Sequence, residues 1–186
     1  IFRRVIPTGL KHGTVTVLFH GHPIEVTTFR VDGTYSNKRH PDSVSFTPSI
    51  EKDLERRDFT INSLALNLAT GTLFDPQGGR EDLASGIIRA IGNPAERFSE
   101  DGLRLLRACR FASQLGFRIE EETLKAMTAT AVNLTHVSAE RIRGEIEKIL
   151  VTVKPSVAFR IMEETGLLVI ILPELAACRG VAETGT

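Results

Sequence analysis

Cysteine is scarce in this 186-residue chain. Cys109 and Cys178 are the only two, and they lack the close spacing of a zinc site or a redox pair. His12, His20, His22 and His40 fall at no ligand-like helical spacing and read as loop residues, so no histidine metal centre is expected. Net charge is missing as well. The 23 Lys and Arg equal the 23 Asp and Glu, so no overall positive field steers polyanions, and any site for one has to be local. No stretch has the length of a membrane span and no leader pattern opens the chain, which points to a reducing, cytoplasmic setting with no membrane partner. The G-x-G-x-x-G and Walker phosphate-binding fingerprints are absent, as are repeats and low-complexity tracts.

What is present is an ordinary globular composition, 41% hydrophobic, enough for one substantial domain or two small ones. The chain opens Ile-Phe-Arg-Arg without an initiator Met and stops just after a helical segment, so it reads as the middle of a longer protein. Thr14–Phe19 and Ile24–Phe29 are β-branched runs separated by His20-Gly-His-Pro23, which predicts an antiparallel hairpin. Glu25, on the second run, is either an edge residue facing water or a placed carboxylate. Val31 to Pro48 reads as a long exposed loop. Beyond it Arg56, Arg57, Asp58 and Asn62 gather ahead of an apolar run. The arginines could hold phosphates, with Asp58 and Asn62 taking ribose hydroxyls at i and i+4 on a helix; equally, the group could be capping chemistry at a helix start. Leu73 to Leu83 reads as a turn-rich connector, Gly86 to Gly92 as a short strand, and everything after Gly116 as helical. The expected class is therefore α+β, a small sheet followed by helices, with a boundary near Asn93-Pro94.

The stretch Phe98 to Gly116 predicts a single helix, with Ser99 as N-cap, Glu100 and Asp101 in the first turn, and Gly116 as the stop. Leu105, Leu106, Cys109, Ala112 and Leu115 share a face suited to a core. Glu100, Arg104, Arg107, Arg110 and Gln114 collect on the other. From Arg89 to Arg118 there are six arginines, no lysine and three acids, a local excess of three positive charges. Asp101 and Arg104, three residues apart, would set an acceptor beside a fork of donors. Cytosine and adenine each offer an amino donor next to a bare ring nitrogen, whereas uracil and guanine offer a carbonyl next to a ring N–H. Such a pair would accept from the amino group and donate to the ring nitrogen, selecting C and A. An acid followed by Arg at i+3 is also a common surface ion pair, so the residues alone leave both readings open.

Five blocks in order and spacing decide between them. Pro7-Thr-Gly-Leu-Lys-His-Gly-Thr-Val-Thr-Val17, Glu25-Val-Thr-Thr-Phe-Arg30, Arg56-Arg-Asp-Phe-Thr-Ile-Asn-Ser63, Asp75-Pro-Gln-Gly-Gly79 and Glu100-Asp-Gly-Leu-Arg104 resemble the class II tRNA nucleotidyltransferases, the CCA-adding enzymes, and the related bacterial poly(A) polymerases. The resemblance covers essentially the whole chain. It implies a polymerase-β-like nucleotidyltransferase head over 1–93 that lacks its N-terminal metal-binding block, then a helical neck and the start of a body over 94–186. It implies template-independent addition of C and A from CTP and ATP to the 3′ end of tRNA. The ribose and triphosphate block lands on Arg57, Asp58 and Asn62, and the amino-acid template on Glu100, Asp101 and Arg104, with Arg107 and Arg110 on the same side joining the nucleotide-binding set. Asp75 to Gly79 is similar to the family's flexible spring, and Ser138 to Leu150 to its helix-stabilising block.

Two departures matter. Gly102 stands where the family usually has Pro. No Asp-x-Asp occurs in the chain, so the main Mg2+ ligands are expected before Ile1, and the chain alone is expected to be inactive. Glu25 is the candidate for an additional catalytic or metal-binding carboxylate. The alternatives are a poly(A) polymerase or A-adding enzyme of the same family, or a catalytically incomplete RNA- or nucleotide-binding fragment. Ser63-Leu-Ala-Leu-Asn67 lacks the aromatic residues expected of the poly(A) polymerases.

Overall fold

The computed structural model describes residues 4–10, 13–33 and 43–180. Lys11, His12 and residues 34–42 (His40 among them), half of the loop expected between Val31 and Pro48, lie outside the described residues.

The first half of the chain folds into small sheets, because its β-branched runs are short and broken by turns. β1 (Val5–Gly9), β2 (Thr14–Phe19) and β3 (His22–Thr27) make an antiparallel sheet in that order. The expected hairpin is present, in register from Thr14↔Thr27 to Phe19↔His22. His20 and Gly21 form its two-residue turn with φ of 48° and 82°, the left-handed conformations a tight hairpin needs. Val17 is buried on β2, whereas β3 is exposed along its whole length.

The stretch read as one long loop contains a second hairpin, β4 (Arg30–Asp32) with β5 (Val44–Phe46). Three residues per strand are too few for alternation to show among so many polar neighbours. α1 (Ile50–Glu55) follows, its first turn capped by Ser49 Oγ accepting from the Lys52 N–H at 3.3 Å. Asp58 and Asn62 are then not on a helical face. Asp58 lies in the link after α1, and Asn62 ends a single 3-10 turn, Thr60–Asn62. After the short pair β6 (Ala65–Leu66) and β7 (Leu73–Phe74), the presumed connector carries α2 (Gly79–Ser85). Asp75 starts α2 by accepting from the N–H groups of Gly79 and Arg80 at 2.7 and 3.0 Å. Gly79 packs so closely on the Thr60 carbonyl that a Cβ would have no room, and Thr60 Oγ1 donates to Asp82 of α2 at 2.7 Å. The Asp75 to Gly79 block therefore docks α2 onto the turn that presents Asn62.

The expected single helix is two. α3 (Pro94–Glu100) starts at Asn93, whose side chain accepts from the Ala95 and Glu96 N–H groups, and it ends where Asp101 turns extended, at φ −147° and ψ 106°. α4 (Leu103–Leu115) begins again after Gly102. Gly102 rather than Ser99 is the N-cap of the longer helix, and Asp101 Oδ1 accepts from its first N–H, that of Leu103, at 3.1 Å. A side chain at Gly102 would meet the Asn133 carbonyl at 2.5 Å, so this junction is packed for glycine. The chain is not purely helical after Gly116 either. β9 (Arg118–Ile119) pairs in parallel with β8 (Ile87–Ile88) before α5 (Glu121–Thr130), a 3-10 segment (Ala131–His136), α6 (Ala139–Leu150), α7 (Pro155–Glu164), α8 (Leu167–Ile171) and α9 (Pro173–Ala177).

α4 runs through the middle, packed on α6 and α7, while α3 packs on α5. Leu105, Leu106, Cys109 and Ala112 are fully buried as their spacing predicts, but Leu115 is 43% exposed at the helix end. Burial pushes the Cys109 thiol up to about 12, so it is an inert core residue. One core joins Phe59, Ile61 and Ile88 of the sheet half to Phe98, Met127, Ile149 and Met162 of the helices. That shared core fixes the Phe59–Ile61 turn and β8 against α4.

Candidate functional site

A polar cleft of about 500 Å³ opens where the link after α1 faces the α3–α4 junction. Arg56, Arg57, Asp58 and Asn62 line one side; Asp101, Leu103, Arg104, Arg107 and Phe111 line the other, with Arg141 reaching in from α6. Five arginines against two aspartates give this chain of zero net charge a local positive site.

Asp58 is the buried pivot. It accepts from its neighbour Phe59 N–H at 2.9 Å, from Asn62 Nδ2 at 2.9 Å and from Arg107 Nε at 2.6 Å. Burial alone would raise its pKa, but the Arg107 charge and these hydrogen bonds outweigh that and hold the carboxyl below the usual range. Arg57 is fixed by Nη1 donating to the Asn62 carbonyl at 3.0 Å and Nη2 donating to Asp53 at 3.2 Å. Phe111 forms part of the cleft wall, with the Arg107 and Arg110 guanidinium carbons 5.4 and 4.1 Å from its ring centre.

Asp101 and Arg104 do not pair with each other as their spacing suggested. The break at Asp101-Gly102 separates them, so Arg104 pairs with Glu100, and Asp101 pairs with Arg141 at 2.7 Å. Arg104 Nη1 also donates to the Arg97 carbonyl at 2.9 Å, and Nη2 to the Arg56 carbonyl at 3.3 Å. Those bonds engage three of its five N–H donors, leaving Nε–H and one hydrogen of Nη2 open. Asp101 Oδ1 serves both Leu103 N–H and Arg141 Nη1, and Oδ2 serves Arg141 Nη2. A carboxylate has about four acceptor positions, so one stays open, on Oδ2. Among the described residues, Asp101 thus keeps one acceptor position and Arg104 two N–H donors without a protein partner, on two residues that line the cleft.

Of the residues singled out from sequence, Arg57, Asp58, Asn62, Asp101, Arg104 and Arg107 meet in this cleft. Glu100 and Arg110 stand behind it. Glu100 braces Arg97 and Arg104, and Arg110 is held by buried Glu145 at 2.7 Å and by Gln114. Glu25 sits on exposed β3 opposite Thr16, away from the cleft-lining set. Arg141 and Asp53 were missed as individuals. The signal for Asp53 was its spacing of three and four residues from Arg56 and Arg57, whereas Arg141, four residues before Glu145 on α6, meets Asp101 only through the fold.

Asp58 and Glu145 make an acid-sensitive pair of anchors, since Glu145 too is held low, its burial outweighed by Lys148 and Arg110. A carboxylate with a depressed folded pKa stabilises fully above its unfolded pKa and loses that stabilisation as pH falls through the folded value. The melting temperature should therefore be nearly flat from neutrality to about pH 5 and fall steeply below about pH 4. Thermal melts across that range check this; a flat profile down to pH 3 would show that the two anchors contribute nothing.

The Poly A polymerase head domain family matches residues 1–89, and the family described as the probable RNA and SrmB-binding site of polymerase A matches residues 116–179. The CCA-adding enzyme of Leuconostoc mesenteroides is 51% identical over 150 residues, 81% of this chain and 37% of that protein. The crystal structure of the Bacillus stearothermophilus CCA-adding enzyme in complex with CTP superposes with a TM-score of 0.81 at 44% identity, over 90% of this chain and 40% of that one. The Thermotoga maritima CCA-adding enzyme complexed with tRNA gives 0.73 at 31% identity, over 92% of this chain and 38% of that one. The α+β fold is that of a nucleotidyltransferase head joined to a helical body. The chain belongs to the family of class II tRNA nucleotidyltransferases and bacterial poly(A) polymerases, and spans about two fifths of the length of these relatives.

Proposed function

We propose that this chain is the nucleotide-selecting part of a CCA-adding enzyme, which adds C and A from CTP and ATP to the 3′ end of tRNA. The observation that carries the proposal is the open valence of the cleft: one free acceptor on Asp101 and free donors on Arg104. Cytosine and adenine complete both, whereas uracil or guanine would set carbonyl against carboxylate and N–H against N–H, leaving buried polar groups unpaired. Arg57 and Arg107 face the same cleft and supply the charge for a triphosphate, with Asp58 and Asn62 beside them for ribose hydroxyls. In this reading residues 1–93 belong to the head and 94–186 to the neck and body that meet tRNA.

The family generally uses Mg2+. Among the described residues no group of three or more His, Cys, Asp or Glu could hold a metal ion. The part of the reaction proposed for the residues of the cleft is selection and positioning, with Glu25 kept as the candidate for an additional carboxylate. No helix among the described residues is long and apolar enough to cross a membrane, and we place the enzyme in the cytoplasm with its tRNA substrate.

The test is addition to a tRNA lacking its 3′ CCA, in magnesium with CTP and ATP. The full-length enzyme should complete CCA and stop, and should ignore UTP and GTP; residues 1–186 alone should add nothing. A long A tail would move the protein to the poly(A) polymerases. No addition by the full-length protein would overturn the proposal in favour of a binding fragment.

A further inference from the structure

Asp53 has no part in the chemistry above, yet it is the most deeply buried charge beside the cleft, its side chain only 1% exposed. Its oxygens collect donors from three places. Oδ1 accepts from the backbone N–H of Arg30, the first residue of β4, at 3.2 Å, and from Arg56 Nε and Nη2 at 3.0 and 2.7 Å. Oδ2 accepts from Arg57 Nη2 at 3.2 Å. Burial by itself pushes this carboxyl up, but the arginines and the strand N–H more than offset it, so it stays charged. Both arginines face the cleft, and both pass the contact on: the Arg56 carbonyl accepts from Arg104, and Arg57 donates to the Asn62 carbonyl. A helix-end ion pair needs one arginine. Here two arginines and a strand of another element share one carboxylate.

We propose that Asp53 is a positioning residue for nucleotide binding, coupling the seating of the β4–β5 hairpin to the placement of Arg56 and Arg57 in the cleft. Because Arg30 and Arg56 share Oδ1, the hairpin cannot lift away without altering the load on Arg56. Because Arg57 takes Oδ2, an anion drawing on Arg57 is felt at the same carboxylate. Coupling of this kind is reciprocal, so a nucleotide that orders the arginines must also firm the hairpin. The proposal rests on the nucleotide-binding reading of the cleft.

Asp53→Asn in the full-length enzyme removes the charge at constant size. Three measurements are made on variant and wild type: melting temperature, CTP binding in EDTA, and backbone hydrogen exchange over β4 and β5 with and without CTP. CTP should slow exchange over the hairpin in the wild type, and this protection should disappear in the variant. The variant's CTP affinity should fall about tenfold, the size expected for losing one charged hydrogen bond's worth of placement. A lower melting temperature with unchanged affinity and unchanged hairpin protection would reduce Asp53 to a structural ion pair. Tighter CTP binding would show that it only cancels positive charge, and either result overturns the proposal. Failure of the wider reading looks different, because then the wild type binds no CTP and completes no CCA.

Discussion

Arg104→Ala in the full-length enzyme should lower kcat/KM for CTP and for ATP together, by about two decades. Two contributions add to that loss. The side chain lines the cleft and carries two donors with no protein partner among the described residues, and removing a charged hydrogen bond to a desolvated base costs roughly 1.5–3 kcal/mol. Arg104 is also only 8% exposed and is braced by Glu100 and by the carbonyls of Arg97 and Arg56, so its loss leaves three acceptors short of a donor at the α3–α4 break. The melting temperature should fall as well. Arg104→Lys separates the two contributions, since a point-like ammonium keeps the charge but cannot reach all three acceptors and still present a planar edge to a base. The Lys variant should regain stability more than activity. Activity that returned in proportion to stability would mean that Arg104 only holds the helices together.

The elements legible in the sequence were those with long or sharply punctuated patterns. The β2–β3 hairpin was visible because two β-branched runs flank a tight turn, and the buried face of α4 because Leu105, Leu106, Cys109 and Ala112 keep helical spacing. The break at Asp101-Gly102 was not visible. Ser99-Glu100-Asp101 has the composition of a helix start, and what ends α3 there is tertiary: Gly102 tucked under the Asn133 carbonyl and Asp101 drawn to Arg141, forty residues away. For the same reason the residues of the cleft could be named while their pairing could not. Local spacing put Asp101 with Arg104; the fold gives each a different partner and thereby leaves both with open hydrogen-bonding positions. Asp53 escaped notice because its donors come from β4 as well as from the link after α1.

Asp101→Ala should reduce the preference for CTP over UTP by about one to two decades, the equivalent of one charged hydrogen bond of roughly 1.5–3 kcal/mol. The free position on Oδ2 is what an amino group would fill, and without it a uracil carbonyl no longer faces a negative charge. Stability should fall by only about 1 kcal/mol, since Asp101 also accepts from the Leu103 N–H at the start of α4. Asp101→Asn is the sharper variant. Its Oδ1 can keep the Leu103 N–H and Arg141 Nη1 bonds, while an NH2 group where Oδ2 was loses the bond from Arg141 Nη2 and presents a donor to the base, so UTP use should rise relative to CTP beyond the Ala variant. Arg141→Ala should give a smaller loss of selectivity, because Asp101 keeps its charge and its bond from the Leu103 N–H but loses the bidentate partner that fixes its plane. Incorporation ratios and melting temperatures measured on the same three proteins decide the matter. If the three variants melt lower yet keep the wild-type CTP-to-UTP ratio, the Asp101–Arg141 pair is a structural clasp and the base is read elsewhere.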